Sequence, residues 1–391
     1  MSQRILILTA GFGEGHNAAA RALAEAFDTS GGPGTARTVD ALALASPRLN
    51  ALSRRGYLEL INRAPRLWSA FYGWVDRSRF FPHSLALLQR EIRLLARVIA
   101  AEQPVAICST FPLYAFLLAR LPRAARGFAP HFNIVTDSIS LNSLWWQAGS
   151  DGWFLPNADS AAVLATAGIP TNRLHVHGFP VAPFFAAHTG KLHPPALNEG
   201  TPPRVLYIIN SSTRSATQIA HRLLAEPDWE ITCAVGRNET LRRDLEQRAA
   251  GRKPATQILG WTDQIPRLLM THHAVVSKAG GATTQEAIAA RCPMLVNQII
   301  PGQEEGNYEL LRRHGIGALA ETPDAVITEL RRAFRDNGAV WRQWRAALAQ
   351  LSRPTAAREI ADEVLRWSAG RPTRDTQPPR SPESIPLPTG A

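Results

Sequence analysis

Arg4-Ile5-Leu6-Ile7-Leu8-Thr9-Ala10-Gly11-Phe12-Gly13-Glu14-Gly15-His16-Asn17 is the stretch that decides the fold class. An apolar run of strand length ends in a glycine-rich turn, and apolar residues then recur with helical spacing over Asn17–Phe27. A strand that is apolar throughout is buried on both faces, which requires a parallel sheet covered by helices on each side. The same pattern recurs at Ala106–Ser109, Phe132–Thr136 and Trp153–Leu155. It breaks into His, Gly, Pro and Asn around Ala186–Pro203, which reads as a linker. A second series follows, with strands predicted at Val205–Ile209, Glu230–Val235, Gln257–Leu259, Ala274–Ser277 and Met294–Gln298. Helices are predicted at Thr213–Ala225, Glu239–Ala249 and Thr283–Ala290. Two such series predict an α/β chain of two Rossmann-like domains facing each other across a cleft. The expected division is 1–188 for the first domain, 202–350 for the second, and a helix over 351–369 packing back on the first. The Pro-rich 370–391 lacks periodicity and is expected to be disordered.

A length of 391 residues suits two domains of this kind. No window approaches the roughly 18–20 apolar residues of a membrane span. Met-Ser-Gln-Arg leads straight into the first strand with no signal-peptide pattern, so a cytoplasmic protein is expected. Cys108, Cys233 and Cys292 lie far apart without metal-ligand spacing and read as reduced packing residues. The net charge of +11 favours phosphates, anionic lipid or nucleic acid, although an arginine-rich genome composition gives the same excess.

The amino-terminal loop is neither a P-loop nor a regular G-x-G-x-x-G fingerprint. Its glycines allow close approach to a ligand, and a tight βα turn explains them equally well. His16 adds chemistry. Beside the positive end of a helix its pKa should fall, leaving a neutral imidazole able to take a proton. A capping or solvated histidine is the plainer reading.

The run Ser277-Lys278-Ala279-Gly280-Gly281-Ala282-Thr283-Thr284-Gln285-Glu286-Ala287 is more specific. A strand ends, two glycines turn, and a helix begins with two threonine hydroxyls. That arrangement suits a diphosphate held at a helix N-terminus. Glu286, one turn inside, could accept both hydroxyls of a ribose, or simply offset the helix dipole. After the next strand, Pro301-Gly302-Gln303-Glu304-Glu305-Gly306-Asn307 offers amides and carboxylates at the end of the sheet where α/β proteins bind ligands. It reads as a sugar-binding loop or as a solvated polar one. No divalent-metal cluster is evident, so no metal is expected.

Between Arg48 and Phe81, Arg54, Arg55, Arg63, Arg66, Arg77 and Arg79 interleave with Tyr57, Trp68, Phe71, Tyr72, Trp74, Phe80 and Phe81. Such a segment can dock on an anionic membrane, stack single-stranded nucleic acid, or pack as a helical excursion on the first domain.

Taken with Gly260-Trp261-Thr262-Asp263, the stretch through Asn307 resembles the donor half of the lipid-glycosylating GT-B enzymes: monogalactosyldiacylglycerol synthases, processive diacylglycerol glucosyltransferases and, more distantly, the peptidoglycan undecaprenyl N-acetylglucosaminyltransferase. Gly13-Glu14-Gly15-His16-Asn17-Ala18-Ala19, Ala64-Pro65-Arg66-Leu67-Trp68, Val135-Thr136-Asp137, Leu144-Trp145 and Gly178-Phe179-Pro180-Val181 resemble the first two groups specifically. The resemblance runs from about Arg4 to Trp367. It implies UDP-hexose as donor, diacylglycerol as acceptor and inversion at the anomeric carbon. Gly280, Gly281 and Thr283 would face the diphosphate, Glu286 the ribose, Gln303, Glu304 and Asn307 the sugar, and Trp261 with the backbone near Ile265 the uracil. His16 would sit beside the reacting centre, and His16 or Asp137 would act as base. Two departures stand out. Asn142 occupies a position where the family usually has histidine, and the often glycine-rich first turn of the second domain reads Asn210-Ser211-Ser212-Thr213-Arg214. Ser211, Ser212 and Arg214 can still hold phosphate.

The sequence therefore predicts a UDP-sugar:diacylglycerol hexosyltransferase, peripheral on the inner face of the cytoplasmic membrane. Arg66, Trp68, Phe71, Tyr72 and Trp74 would meet the anionic surface, UDP-sugar would be a co-substrate rather than a tightly held cofactor, and nucleic acid would not be a partner. A UDP-sugar epimerase of the same fold and a non-catalytic nucleotide-sugar-binding regulator are the alternatives.

Overall fold

A computed structural model describes residues 4–63, 67, 88–122, 129–198, 200–210, 214–302 and 304–369. Arg66, Trp68, Phe71, Tyr72, Trp74, Ser211, Ser212, Gln303 and the 370–391 tail lie outside the described residues.

The described residues form two six-stranded parallel sheets. The first holds β1 (Ile5–Leu8), β2 (Ala36–Val39), β3 (Ala106–Ser109), β4 (His131–Ile134), β5 (Gly152–Leu155) and β6 (Leu174–Val176), in the order β2-β1-β3-β4-β5-β6. The second holds β7 (Arg204–Ile208), β8 (Glu230–Ala234), β9 (Thr256–Leu259), β10 (Ala274–Lys278), β11 (Met294–Gln298) and β12 (Gly317–Leu319), in the order β12-β11-β10-β7-β8-β9. Every pairing is parallel. All four residues of β1 are fully buried, as its uninterrupted apolar run requires. The expected α/β class with two Rossmann-like sheets is therefore what the chain forms.

The strand order reverses once in each sheet, between β1 and β3 in the first and between β7 and β10 in the second. Ligands bind outside the carboxyl ends of the strands at such switch points. The loops after β1 and β3 carry Gly11–Gly15 and Thr110, and those after β7 and β10 carry Asn210 and Ala279–Gly281.

The chain crosses between the sheets at two places. Gly178, with φ of 108°, begins the outward crossing, and a Cβ there would lie 2.7 Å from Arg353 Cβ and 3.1 Å from Ala356 Cβ on the return. Leu197 on the outward segment packs into the core of the second sheet. The helix Pro323–Leu351 is interrupted at Arg335–Gly338, and helix Ala356–Ala369 then lies against helix Glu14–Gly31. Ala357, Ile360, Ala361 and Val364 of that last helix join Ile5, Ile7, Leu23 and Phe27 in one apolar cluster. His175 Nδ1 meets Glu363 at 2.8 Å and His177 Nδ1 meets Glu359 at 3.3 Å, fastening the same helix to β6 and the residue after it.

Candidate active site

His16 lies in the first turn of helix Glu14–Gly31, set there by Gly13, whose φ of 141° is a backbone conformation that glycine adopts freely. The imidazole is 9% exposed. Its Nδ1 lies 2.6 Å from the carbonyl oxygen of Thr110 and 2.9 Å from Thr136 Oγ1. A carbonyl oxygen only accepts, so Nδ1 carries the proton and Nε2 keeps its lone pair. Phe111 packs edge-on to the ring at 5.0 Å. Burial pulls the His16 pKa below its ordinary 6.5, while the charge of Asp137 and the Thr110 carbonyl oppose that shift. The direction matches the sequence expectation, with a different leading cause: loss of solvent rather than the helix end.

Asp137 follows β4 and accepts a 2.7 Å hydrogen bond from Trp145 Nε1. Burial raises its pKa, against the opposing influence of His16 and the indole N–H. The two groups act on each other's charge in surroundings that exclude much of the solvent, which suits them to passing a proton. Asn142 lies five residues on, buried, with Oδ1 accepting the Leu144 N–H at 3.1 Å and Nδ2 without a partner among the described residues.

Across the cleft, helix Gly281–Ala290 begins at Gly280 with no side-chain cap. The Thr284 N–H bonds back to the Gly280 carbonyl at 2.9 Å, leaving the N–H groups of Gly281, Ala282 and Thr283 as the free donors of the first turn. Thr283 is partly exposed, as a ligand-facing hydroxyl should be. Thr284 is not. It is fully buried, and its hydroxyl contacts Met294 Sδ at 3.8 Å, so of the two threonines at this helix start only Thr283 is partly exposed. The reason is helical geometry: successive residues point about 100° apart, so one of the pair must turn toward the sheet.

Glu286 lies where this helix meets helix Glu14–Gly31 and makes no hydrogen bond among the described residues. Burial pushes its carboxyl up to about 7, with Arg21 of the facing helix opposing. Glu304 is 4% exposed, pairs through Oε1 with Lys278 Nζ and accepts the Ile300 N–H on Oε2 at 3.1 Å. Asn307 donates Nδ2 to the Ala279 carbonyl at 2.9 Å, and its buried Oδ1 has no partner among the described residues. Asn210 Nδ2 donates to Ser277 Oγ at 3.3 Å, tying together the strand ends at the second switch point. Arg214 is exposed at the first residue of helix Arg214–Leu224. Trp261 is 71% exposed after β9, and Ile265 opens helix Ile265–Thr271.

The two halves touch around the loop Thr136–Ser140, a feature that sequence reading missed. The position a Cβ would take on Gly281 lies 3.3 Å from the Thr136 carbonyl oxygen. Gln285 Nε2 donates to Ser138 Oγ at 3.0 Å. Gly306, at the start of helix Glu305–His314, lies against the Ser138 carbonyl oxygen and the Ser140 amide. Gly15 faces Ala282 N, 3.8 Å from where its Cβ would stand. Asp137 thus stands between two residues that touch the second half of the chain. Of the expected site residues, the structure gathers His16, Asp137, Gly281, Glu304 and Asn307 around this junction. Trp261 and Arg214 stand at the carboxyl ends of other strands of the second sheet.

Residues 16–181 match the family described as monogalactosyldiacylglycerol (MGDG) synthase. The chain is 23% identical over 371 residues to a processive diacylglycerol beta-glucosyltransferase of Bacillus thuringiensis (strain Al Hakam), covering 93% of each chain. Among solved structures, Os79 from O. sativa in complex with UDP aligns with a TM-score of 0.62 at 12% identity, over 94% of this chain and 99% of that one. The glycosyltransferase SnogD from Streptomyces nogalater aligns at 0.57 and 18%, over 94% and 100%. The UDP-GlcNAc 2-epimerase from Neisseria meningitidis bound to UDP-GlcNAc aligns at 0.57 and 12%, over 93% and 100%. The paired parallel sheets are those of a GT-B protein, and residues 16–181 are similar to the monogalactosyldiacylglycerol synthase family, as 93% of the chain is to a processive diacylglycerol beta-glucosyltransferase.

Proposed function

We propose that this protein transfers a hexosyl group from a UDP-sugar to the free hydroxyl of diacylglycerol, inverting the anomeric carbon. The observation that carries the reading is the junction itself. His16 and Asp137, which act on each other's charge, stand on one side of the junction, and the uncapped start of helix Gly281–Ala290 meets the Thr136 carbonyl from the other. His16 Nε2 takes the proton of the lipid hydroxyl as its oxygen attacks, and Asp137 stabilises the imidazolium that forms. The glycosidic bond to the diphosphate breaks on the opposite face. The helix start at Gly281 and the Arg214 guanidinium bind the UDP that leaves. Glu286 meets the ribose, Trp261 and the backbone near Ile265 flank the uracil, and Gln303, Glu304 and Asn307 line the sugar pocket.

The acceptor reaches the site from a membrane surface. Among the described residues no helix is long and apolar enough to cross a membrane. Leu44, Leu49, Leu52 and Leu67 are each more than half exposed; Leu44 lies just before the basic-aromatic segment Arg48–Phe81 and the other three lie within it. Apolar side chains beside arginines and aromatics suit a peripheral protein on an anionic inner leaflet.

The test is incubation of the purified chain with radiolabelled UDP-galactose, UDP-glucose or UDP-glucuronate and diacylglycerol in anionic vesicles. Labelled glycosyldiacylglycerol formed together with free UDP is the expected result. Absence of a labelled lipid with every donor overturns the reading. Interconversion of UDP-sugars without lipid would instead identify an epimerase.

A further inference from the structure

The region around Gly280 contains a cation that neither the motif nor the family resemblance singled out. Lys278 ends β10, two residues before the N-cap of helix Gly281–Ala290. The position a Cβ would take on Gly280 lies 3.4 Å from Lys278 Nζ and 3.7 Å from Glu304 Oε1. The ammonium therefore stands at the positive end of a helix that has neither a side-chain cap nor an acidic residue in its first turn. Cations are unfavourable there and anions favourable. Glu304 offsets one charge, yet its second oxygen is held by the Ile300 N–H, which fixes the carboxylate to the protein. The Lys278 side chain keeps a quarter of its surface exposed, while Glu304 keeps 5%. Asn307 is a second and independent sign of a ligand. Its Oδ1 is buried without a partner among the described residues, and its Nδ2 lies 3.8 Å from where a Cβ of Gly281 would stand. That oxygen only accepts, so it calls for a hydroxyl of the donor's sugar, while the positive helix end and the ammonium beside it suit the diphosphate of the same donor.

We propose that Lys278 is a catalytic cation that binds the donor's diphosphate and takes up the negative charge that develops as the nucleoside diphosphate departs, with Glu304 as the positioning group that holds the ammonium beside the helix start. The proposal rests on the donor-site reading above. The bond from the anomeric carbon to the β-phosphate oxygen breaks, and its electron pair goes to that oxygen. The lipid oxygen forms the new bond to carbon, and its proton goes to His16. Lys278 donates hydrogen bonds to the phosphate oxygens and forms no covalent bond. Glu304 serves here chiefly to place Lys278, a different task from reading sugar hydroxyls.

Calorimetric titration of the full chain with UDP and with uridine separates the diphosphate from the base. The wild type should prefer UDP. In Lys278→Met that preference should shrink by roughly tenfold or more with uridine affinity unchanged, and kcat should fall by about 100-fold. Lys278→Arg, which keeps the charge, should restore most of the preference. Glu304→Gln carries the test if Lys278→Met does not fold. Freed from its partner, the ammonium should bind UDP more tightly relative to uridine while kcat falls, a divergence that mere loss of structure does not produce. An undiminished UDP preference in Lys278→Met, or a weakened one in Glu304→Gln, overturns the proposal. A wild type with no preference for UDP removes the donor-site reading itself, whereas a preference that survives Lys278→Met removes only the role of Lys278.

Discussion

Gly306 and Ser138 are in such close contact that the helix carrying one leaves no room for a side chain beside the carbonyl oxygen of the other. A Cβ on Gly306 would overlap that oxygen and lie 2.6 Å from the amide nitrogen of Ser140. Both obstacles are backbone atoms and cannot swing aside. Ser138 immediately follows Asp137, so helix Glu305–His314 abuts the residue next to that carboxylate.

Replacing Gly306 with alanine should therefore push the junction apart at a cost in stability, because overlap with fixed backbone outweighs the helix propensity that alanine gains. The melting temperature should fall by a few degrees, and kcat/KM should drop by roughly tenfold or more, since small misplacements of reacting groups are costly. Kinetics and thermal unfolding on the same preparation check this. Unimpaired turnover would show that the contact is not needed for catalysis.

Substitution of His16 by alanine should lower kcat by about 10²–10⁴-fold, the usual worth of a general base. UDP affinity should stay within about twofold, because the imidazole belongs to the first half of the chain and the helix start proposed to hold the phosphates belongs to the second. Single-turnover measurements with diacylglycerol vesicles distinguish this from a binding defect.

The pH profile has a defined sign. Burial holds the His16 pKa below 6.5, so the imidazole remains unprotonated to lower pH than a solvated histidine. The acid limb of kcat/KM should accordingly fall below pH 6.5. Asp137 raises the His16 pKa, and Asp137→Asn should move the limb further down while reducing the maximal rate. A limb that moves upward in this variant contradicts the assignment.

Glu286 offers a stability test. Its carboxyl titrates at about 7 in the folded chain against an ordinary 4.5, so the native state binds the extra proton between those values. Stability should fall as pH rises through that window and then level off. Glu286→Gln should stabilise the unliganded protein by about 1–3 kcal/mol at pH 8 and little at pH 4.5, while weakening UDP-sugar binding. Denaturant unfolding at the two pH values reads the first effect, and titration with UDP-sugar reads the second.

Leu49 and Leu52 are more than half exposed near the start of helix Pro47–Arg63. Changing both to serine should weaken binding to anionic vesicles by about 100-fold or more in a sedimentation assay, as the two buried apolar side chains together contribute about 3 kcal/mol or more, without affecting thermal stability. Vesicle binding equal to wild type would remove these leucines from the docking surface.

The sheet interiors were legible in the sequence, and three of the four sheet margins were not. β3 and β11 fall on the residues predicted for them, because runs such as Ala106–Ser109 and Met294–Gln298 are largely apolar and buried. β2 (Ala-Arg-Thr-Val), β6 (Leu-His-Val) and β12 (Gly-Ala-Leu) escaped notice. All three are edge strands, short and half exposed, where a continuous apolar signal is not required. In the site, glycines and His16 announced themselves through local pattern. Lys278 did not, since a lysine at a strand end has no meaning until Glu304, 26 positions later, is folded against it. The Ser138–Gly306 contact is equally silent in sequence: it joins residues from different sheets, and only three dimensions bring them together.

The last helix also governs the order in which the protein can mature. Ile5 and Ile7 belong to β1, yet part of their covering comes from Ile360 and Val364, more than 350 positions later. The amino-terminal sheet therefore keeps an apolar face uncovered until the helix Ala356–Ala369 has left the ribosome. A fragment cut in the linker would carry that open face permanently, so the amino-terminal half is best produced with the final helix supplied.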